Sequence, residues 1–366
     1  MQTPRARNLP RGSRPPASLP VKVAFLGSGV LLSGVLLGAV IYQASGGATP
    51  SRGAATSSAL PLSSSHFTPV EVTQSSPADA TGTHKLISLK IPSHLKVTTP
   101  PPVFSIYLKD SDIQVERPYT PLNGLEEDGT MSFWVKRYEH GEVGRWFHRR
   151  KVGETVEIRG PVKTFDWKDG VWDEVVLISG GTGITPFYQL LQSTFKNRPG
   201  STKITPSGSD MRTTAVFDHS PTHITLMHAS SSLASHPPPV ILDDLRSWAI
   251  QHPERFTLKT FVDNKGDVSE ASLSSMGDTT EGRIDLKSIE QTRIERGLVK
   301  QPSWLEWLRG VKGEREVEKK VLFVVCGPER MITQIAGSRL GRPVAEGRAG
   351  GILGDMGYAT HEVCRL

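Results

Sequence analysis

The run Arg117-Pro118-Tyr119-Thr120-Pro121-Leu122-Asn123 follows a strand-like stretch and carries side chains that a flavin dinucleotide needs. A pyrophosphate calls for a fixed, always-charged donor, and arginine offers a planar fork for it. A flavin ring calls for an aromatic face and for hydrogen-bond donors near its reactive edge, roles suited to Tyr119 and Thr120. The same heptamer also fits a strand-to-turn transition with a surface arginine. A second cluster is Gly141-Glu142-Val143-Gly144, followed by Arg159-Gly160-Pro161. Glycines there would let backbone N–H groups approach a phosphate, although two hairpin turns account for them better when they are taken alone.

The third cluster is Gly180-Gly181-Thr182-Gly183-Ile184-Thr185-Pro186. It follows an apolar run and opens a helical one, with Pro186 placed for a first helical turn. A glycine turn between strand and helix admits a pyrophosphate, and the helix N-terminus favours its negative charge. The spacing is not G-x-G-x-x-G and no lysine follows as in a phosphate-transfer loop; nucleotide phosphate binding is the better reading, against a plain strand–helix turn. The fourth cluster, Cys326-Gly327-Pro328-Glu329-Arg330-Met331, ends another apolar run. Ligands of open parallel sheets bind beyond the carboxyl ends of the strands, which would bring Cys326 to a site. A small buried thiol with no chemistry is an equally good account of Cys326.

Two kinds of element have to position these clusters. Segments 86–91, 103–108, 132–137 and 155–160 are short, alternate apolar and polar residues, and are separated by turn formers. They predict a small antiparallel barrel. Segments 174–179, 224–229, 257–262 and 321–326 are nearly continuous apolar runs, as strands buried on both faces should be. Helix-like stretches at 187–195 and 241–250 lie between them, which implies a parallel sheet with crossovers. The fold class is therefore all-β followed by α/β. Segments 196–221 and 264–283, rich in Ser, Gly, Thr and Asp, read as surface insertions. Trp134, Trp146, Trp167 and Trp172 read as core or domain-interface residues, and His140 and His148 as surface or structural ones.

Charge divides the chain unevenly. Six of its 43 basic residues and none of its 37 acidic ones lie within residues 1–70, so the remainder is formally neutral. The net charge of +6 therefore does not argue for a nucleic-acid-binding body. Two cysteines, Cys326 and Cys364, are too few for a disulfide framework and have no zinc-site spacing. Residues 1–22 are basic and rich in Arg, Pro and Ser, which fits a mitochondrial address. Residues 23–42 carry no charge and are long enough for a membrane helix of about 30 Å. A linker is expected over 43–65, then a flavin barrel over 66–172 and a nucleotide-binding α/β domain over 173–366. By the positive-inside rule, the body would face the intermembrane space of an inner membrane.

Taken in order, R-P-Y-T, G-G-T-G-I-T-P and C-G-P resemble the ferredoxin–NADP reductase superfamily, and within it the NADH–cytochrome b5 reductase branch, over roughly residues 66–366. The resemblance implies an FAD-dependent NAD(P)H oxidoreductase that passes electrons to a haem or other electron-transfer acceptor. It implies that Arg117 binds the flavin pyrophosphate, that Tyr119 packs on the flavin and that Thr120 sits near its reactive nitrogen. Gly180 to Pro186 would cradle the pyrophosphate of NADH or NADPH. Cys326, Gly327 and Pro328 would lie beside the nicotinamide, which makes Thr120 and Cys326 the expected catalytic positions.

The chain also departs from that pattern. Gly144 stands where a serine or threonine is usual, the C-terminus lacks the frequent aromatic residue, and Ser230, Ser231 and Ser232 leave the choice of nucleotide open. The phrases GEVGRWFH, WDEVVLISGGTGITPFYQLL and GGILGDMGY resemble a fungal subgroup, the mitochondrial cytochrome c import factors. That likeness implies the alternative role of supporting haem attachment by reducing haem.

Overall fold

In the computed structural model, which describes residues 61–95, 100–124, 128–196, 222–263, 279–299, 319–338 and 347–366, alternation along six strands builds the first half. These are β1 (Thr68–Pro77), β2 (His84–Lys90), β3 (Val103–Asp110), β4 (Val115–Tyr119), β5 (Thr130–Lys136) and β6 (Thr155–Phe165). Successive side chains of a strand point to opposite faces. Val70 and Val72, Ile87 and Leu89, Ile106 and Leu108, Phe133 and Val135, and Val156 and Ile158 all turn inward into one cluster. All pairs are antiparallel, in the order β4-β3-β6-β1-β2-β5. The two end strands, β4 and β5, share no ladder. Helix α1 (Glu142–His148) plugs the seam between them. Its Phe147 ring meets Tyr119 of β4 at 5.7 Å and Phe133 of β5 at 5.9 Å, both edge-on.

The second half is a parallel sheet of β7 (Glu174–Gly180), β8 (His223–Ser230), β9 (Phe256–Val262), β10 (Thr279–Glu281), β11 (Val321–Cys326) and β12 (Val363–Arg365). The order is β10-β9-β8-β7-β11-β12. The chain winds outward from β7 through β8 to β10, then returns to the other side of β7 with β11. The switch point of the topology therefore lies between β7 and β11. Every residue of β7 is buried. Val175 and Leu177 pack on one face with α2 (Thr185–Phe195) and α3 (Pro239–Gln251). Val176 and Ile178 pack on the other with α4 (Leu286–Glu295) and α5 (Glu329–Ala336).

Several expectations need correction. Residues 61–65 do not behave as linker: Leu62 is buried in the barrel cluster and its N–H donates to the Leu95 carbonyl. Strand β1 goes unexpected because its second half, from Gln74 on, is polar. Arg117, Pro118 and Tyr119 follow β3 as expected, but they themselves lie within edge strand β4. The segment from Glu142 is a helix, not a turn. The last part of 264–283 is strand β10, held against β9 from Thr279 to Glu281. Residues 1–60, which include the expected address and membrane helix, and 197–221 and 264–278 lie outside the described residues. Among the described residues no helix is long and apolar enough to cross a membrane.

Candidate functional site

Two glycine-rich strand ends meet at the switch point. Gly180 ends β7, and Cys326-Gly327-Pro328 ends β11. A Cβ placed on Gly183 would stand 2.5 Å from the Cys326 carbonyl oxygen, and one on Gly180 would stand 2.7 Å from the Met331 sulfur. These two glycines therefore let the loops lie against each other, and both also line the cavity at the switch point. Gly181 is different: its φ of +53° requires glycine, and space is open around its Cα. The turn 181–184 is a 3-10 helix that leads straight into α2, with Pro186 in the first turn.

The barrel seam opens onto the same place. A cavity of about 690 Å³ is lined on the barrel side by Arg117, Pro118, Tyr119 and Thr120 of β4 and the residue after it. Trp134 and Lys136 of β5 and Gly141 and Gly144 at the start of α1 add to that wall. On the sheet side it is lined by Gly180, Thr182, Gly183, Thr185, Pro186, Cys326, Gly327 and Pro328. Gly181 lies instead on an adjoining cavity of about 290 Å³, which shares Lys136, Gly180 and Pro328 with the first. The two cavities thus form a track over the switch point. Arg159, Gly160 and Pro161 are not part of it. The Arg159 guanidinium grips the Glu116 carboxylate through two bonds of 2.7 and 2.6 Å. It thereby steadies the edge strand that carries Arg117, and the bonds from Arg159 hold the Glu116 carboxyl below its usual range. A Cβ on Gly160 would strike Ile106 at 2.8 Å, so that glycine serves strand packing.

The walls suit a flavin dinucleotide. The N-terminus of α1 has no side-chain cap, so its first-turn N–H donors remain for an anion beside exposed Arg117. At Gly144 a Cβ would lie 3.4 Å from the Tyr119 hydroxyl, an ordinary contact, so the glycine sits directly beside that phenol. Burial pushes the Tyr119 hydroxyl up to about 12, which keeps it protonated and a donor. At the floor, the Thr120 hydroxyl is 3.3 Å from that of Ser105, which is 2.9 Å from that of Thr164. This hydroxyl cluster escaped the sequence reading because its members are 59 positions apart at the extremes and none stands in a motif. Their places on β3 and β6, whose ladder joins Ser105 to Val162, would have revealed it.

The sequence reading also missed Gln189. Buried on α2, it accepts from the Phe104 N–H at 2.8 Å and donates to the Pro121 carbonyl at 3.2 Å. One amide thus ties the first helix of the sheet to β3 and to the loop after Thr120. Trp134, 4% exposed, belongs to the cluster that joins the two halves, and His84 stacks on its ring at 5.0 Å. His140 lines the cavity. His148 is buried away from it, and burial lowers its imidazole. Leu366 forms part of the wall. Among the described residues no cluster could hold a metal ion.

Comparison with known proteins finds two cofactor-binding domains along the chain. Residues 80–167 match the oxidoreductase FAD-binding domain, and residues 177–337 match the oxidoreductase NAD-binding domain. NADH-cytochrome b5 reductase 2 of Meyerozyma guilliermondii is 26% identical over 284 residues, covering 77% of this chain and 79% of that protein. Its counterpart in Lodderomyces elongisporus is 27% identical, covering 71% of this chain and 70% of that protein. The cytochrome b5 reductase domain of Ulva prolifera nitrate reductase superposes with a TM-score of 0.56 at 19% identity, over 84% of this chain and all of that one. A ferredoxin NADP+ reductase from Neisseria gonorrhoeae with bound FAD and NADP gives 0.51 at 14%, over 82% and 98%. The chain carries an oxidoreductase FAD-binding domain followed by an oxidoreductase NAD-binding domain, in a fold like that of ferredoxin reductases. It is an FAD-dependent NAD(P)H oxidoreductase with NADH-cytochrome b5 reductase homologues.

Proposed function

We propose that FAD lies in the barrel seam with its pyrophosphate on Arg117 and the first turn of α1, and its ring against Tyr119 and above Thr120. The nicotinamide dinucleotide lies along the track over Gly180–Pro186, with its reactive end between Cys326 and Thr120. The observation that carries this reading is that one cavity has both β4 and the two strand ends of the switch point in its walls. Bound there, FAD supplies the conversion of a two-electron hydride donor into single-electron delivery. The chain's own residues orient and shield. Trp134 and Leu366 exclude water from the meeting place, and the protonated Tyr119 hydroxyl and the Thr120 hydroxyl hold hydrogen-bonding edges in place. Lys136 adds a positive charge where the two cavities join.

The relatives' name supports a haem protein as electron acceptor. Residues 1–42 support a mitochondrial inner-membrane anchor, with the body in the intermembrane space. The phrases GEVGRWFH and GGILGDMGY support a second reading, in which haem iron is reduced ahead of its attachment to cytochrome c. Normal holo-cytochrome c in a deletion strain would remove that second reading.

The site is tested by Arg117→Ala in the full chain purified in detergent. Loss of a charge-assisted bond worth about 1.5–3 kcal/mol weakens FAD binding by roughly ten- to hundredfold. An unchanged FAD affinity would place the pyrophosphate elsewhere.

A further inference from the structure

The cavity of about 290 Å³ beyond the ends of β8 and β9 has an unusual charge arrangement for its position. In dinucleotide folds an acidic side chain at such a place takes the ribose hydroxyls of NADH, whereas an arginine accommodates the 2′-phosphate of NADPH. Here Asp263 follows β9, and its N–H donates to the Ser230 carbonyl at the end of β8, which fixes it at the cavity rim. Its carboxylate is already taken, because Arg283 Nε donates to Asp263 Oδ2 at 2.8 Å. The turn at Gly282, with φ of +120° and its N–H on the Val262 carbonyl, carries the chain from β10 back over β9 and delivers Arg283 to this spot.

Arg283 is 77% exposed along its side chain, and Arg330, at the start of α5, is an exposed second arginine on the same cavity. The Ser231 and Ser235 hydroxyls, 3.0 Å apart, line the same cavity. Among the described residues the cavity wall thus holds Arg283, Arg330, Lys136, Ser230, Ser231 and Ser235, with its one carboxylate paired to Arg283. That suits a phosphate dianion and leaves no unpaired acid to repel it.

We infer that this cavity takes a 2′-phosphorylated adenosine ribose, so that NADPH serves the chain at least as well as NADH, with Arg283 as the determinant of the choice. The inference rests on the placement of the nicotinamide dinucleotide proposed above. The rim acts by charge: Arg283 both cancels Asp263 and presents its terminal nitrogens, which have no other hydrogen bond among the described residues.

The test uses the full chain in detergent and has two arms. Calorimetry compares 2′,5′-ADP with 5′-AMP, which differ only in the 2′-phosphate. The first should bind about tenfold or more tightly, as one or two charge-assisted bonds allow. Steady-state turnover compares kcat/KM for NADPH and NADH, which should be equal or favour NADPH. Arg283→Gln should lower the NADPH-to-NADH ratio by about tenfold or more. Asp263→Asn should raise it. Equal binding of the two adenosine phosphates, a strong preference for NADH, or a ratio unmoved by Arg283→Gln would overturn the inference. Turnover with NADH alone strikes only this inference. Failure of both nucleotides to reduce the flavin strikes the proposed function, and the binding arm then decides the specificity of the cavity.

Discussion

The two halves of the molecule bring residues to the site by different rules. In the parallel sheet, topology dictates the place: all strands end on one side, and the reversal between β7 and β11 leaves a crevice at their carboxyl ends. In the antiparallel half no end of the sheet is privileged. The binding surface lies where β4 and β5 do not pair and where α1 fills only part of the gap. The sheet therefore makes a site by order, and the barrel makes one by omission.

The same contrast separates the two ends of the parallel sheet. At its far end Glu174, 1% exposed, accepts from Arg296 at 3.0 Å, pairs with His223 Nδ1 at 2.9 Å and accepts from Thr225 at 3.1 Å. This is a polar network centred on a buried carboxylate, remote from the switch point. It should govern stability and leave the chemistry alone. Breaking a buried charge network by removing one partner costs about 3–5 kcal/mol. Glu174→Ala should therefore lower the denaturant midpoint by far more than it changes flavin reduction in protein that remains folded. A large catalytic effect at unchanged stability would erase the distinction between the two ends.

The joint between the halves comes next in size. Gln189→Leu leaves the Phe104 N–H and the Pro121 carbonyl without their partner, at about 2–4 kcal/mol for two buried backbone groups. Chemical unfolding would measure it, and a loss under half a kilocalorie would show that water replaces the amide. Gly183→Val then tests the switch point alone. Its side chain must displace the Cys326 carbonyl, and a shift of about 1 Å in a reacting centre costs roughly a hundredfold in rate. Rapid mixing should find slow flavin reduction at normal FAD content, whereas normal reduction would mean that the loops need not touch.

The smallest effect is one of pH. Burial pushes His228 down to about 3 and His236 to about 4, each from 6.5. Because the folded values lie below the unfolded ones, both rings contribute fully above pH 6.5. Their contribution is lost as pH falls toward the folded values, at about 1 kcal/mol for the pair between pH 7 and 6. Urea midpoints across that range should show the slope, and His228→Phe with His236→Phe should flatten it.

What could be read without coordinates follows the same division. The runs 174–179 and 321–326 announce buried parallel strands, and the clusters after them could hardly lie anywhere but at one edge. Tyr119 and Arg117 stood out by type, yet their strand did not, since β4 has five residues, none of them buried. The Thr120–Ser105–Thr164 cluster and the Gln189 tie are products of register and packing, and no local spacing encodes them. Gly180 and Gly183 line the cavity and also admit the neighbouring loop, and a string of letters does not separate a glycine that admits a ligand from one that admits another loop.

The central claim, that the barrel seam and the switch point form one site for two dinucleotides, is tested most directly by the visible spectrum of the full chain, purified and supplied with FAD, under anaerobic addition of NADPH or NADH. The account predicts a yellow protein whose flavin band bleaches on mixing. A protein that stays colourless, or a band that neither nucleotide bleaches, would contradict it.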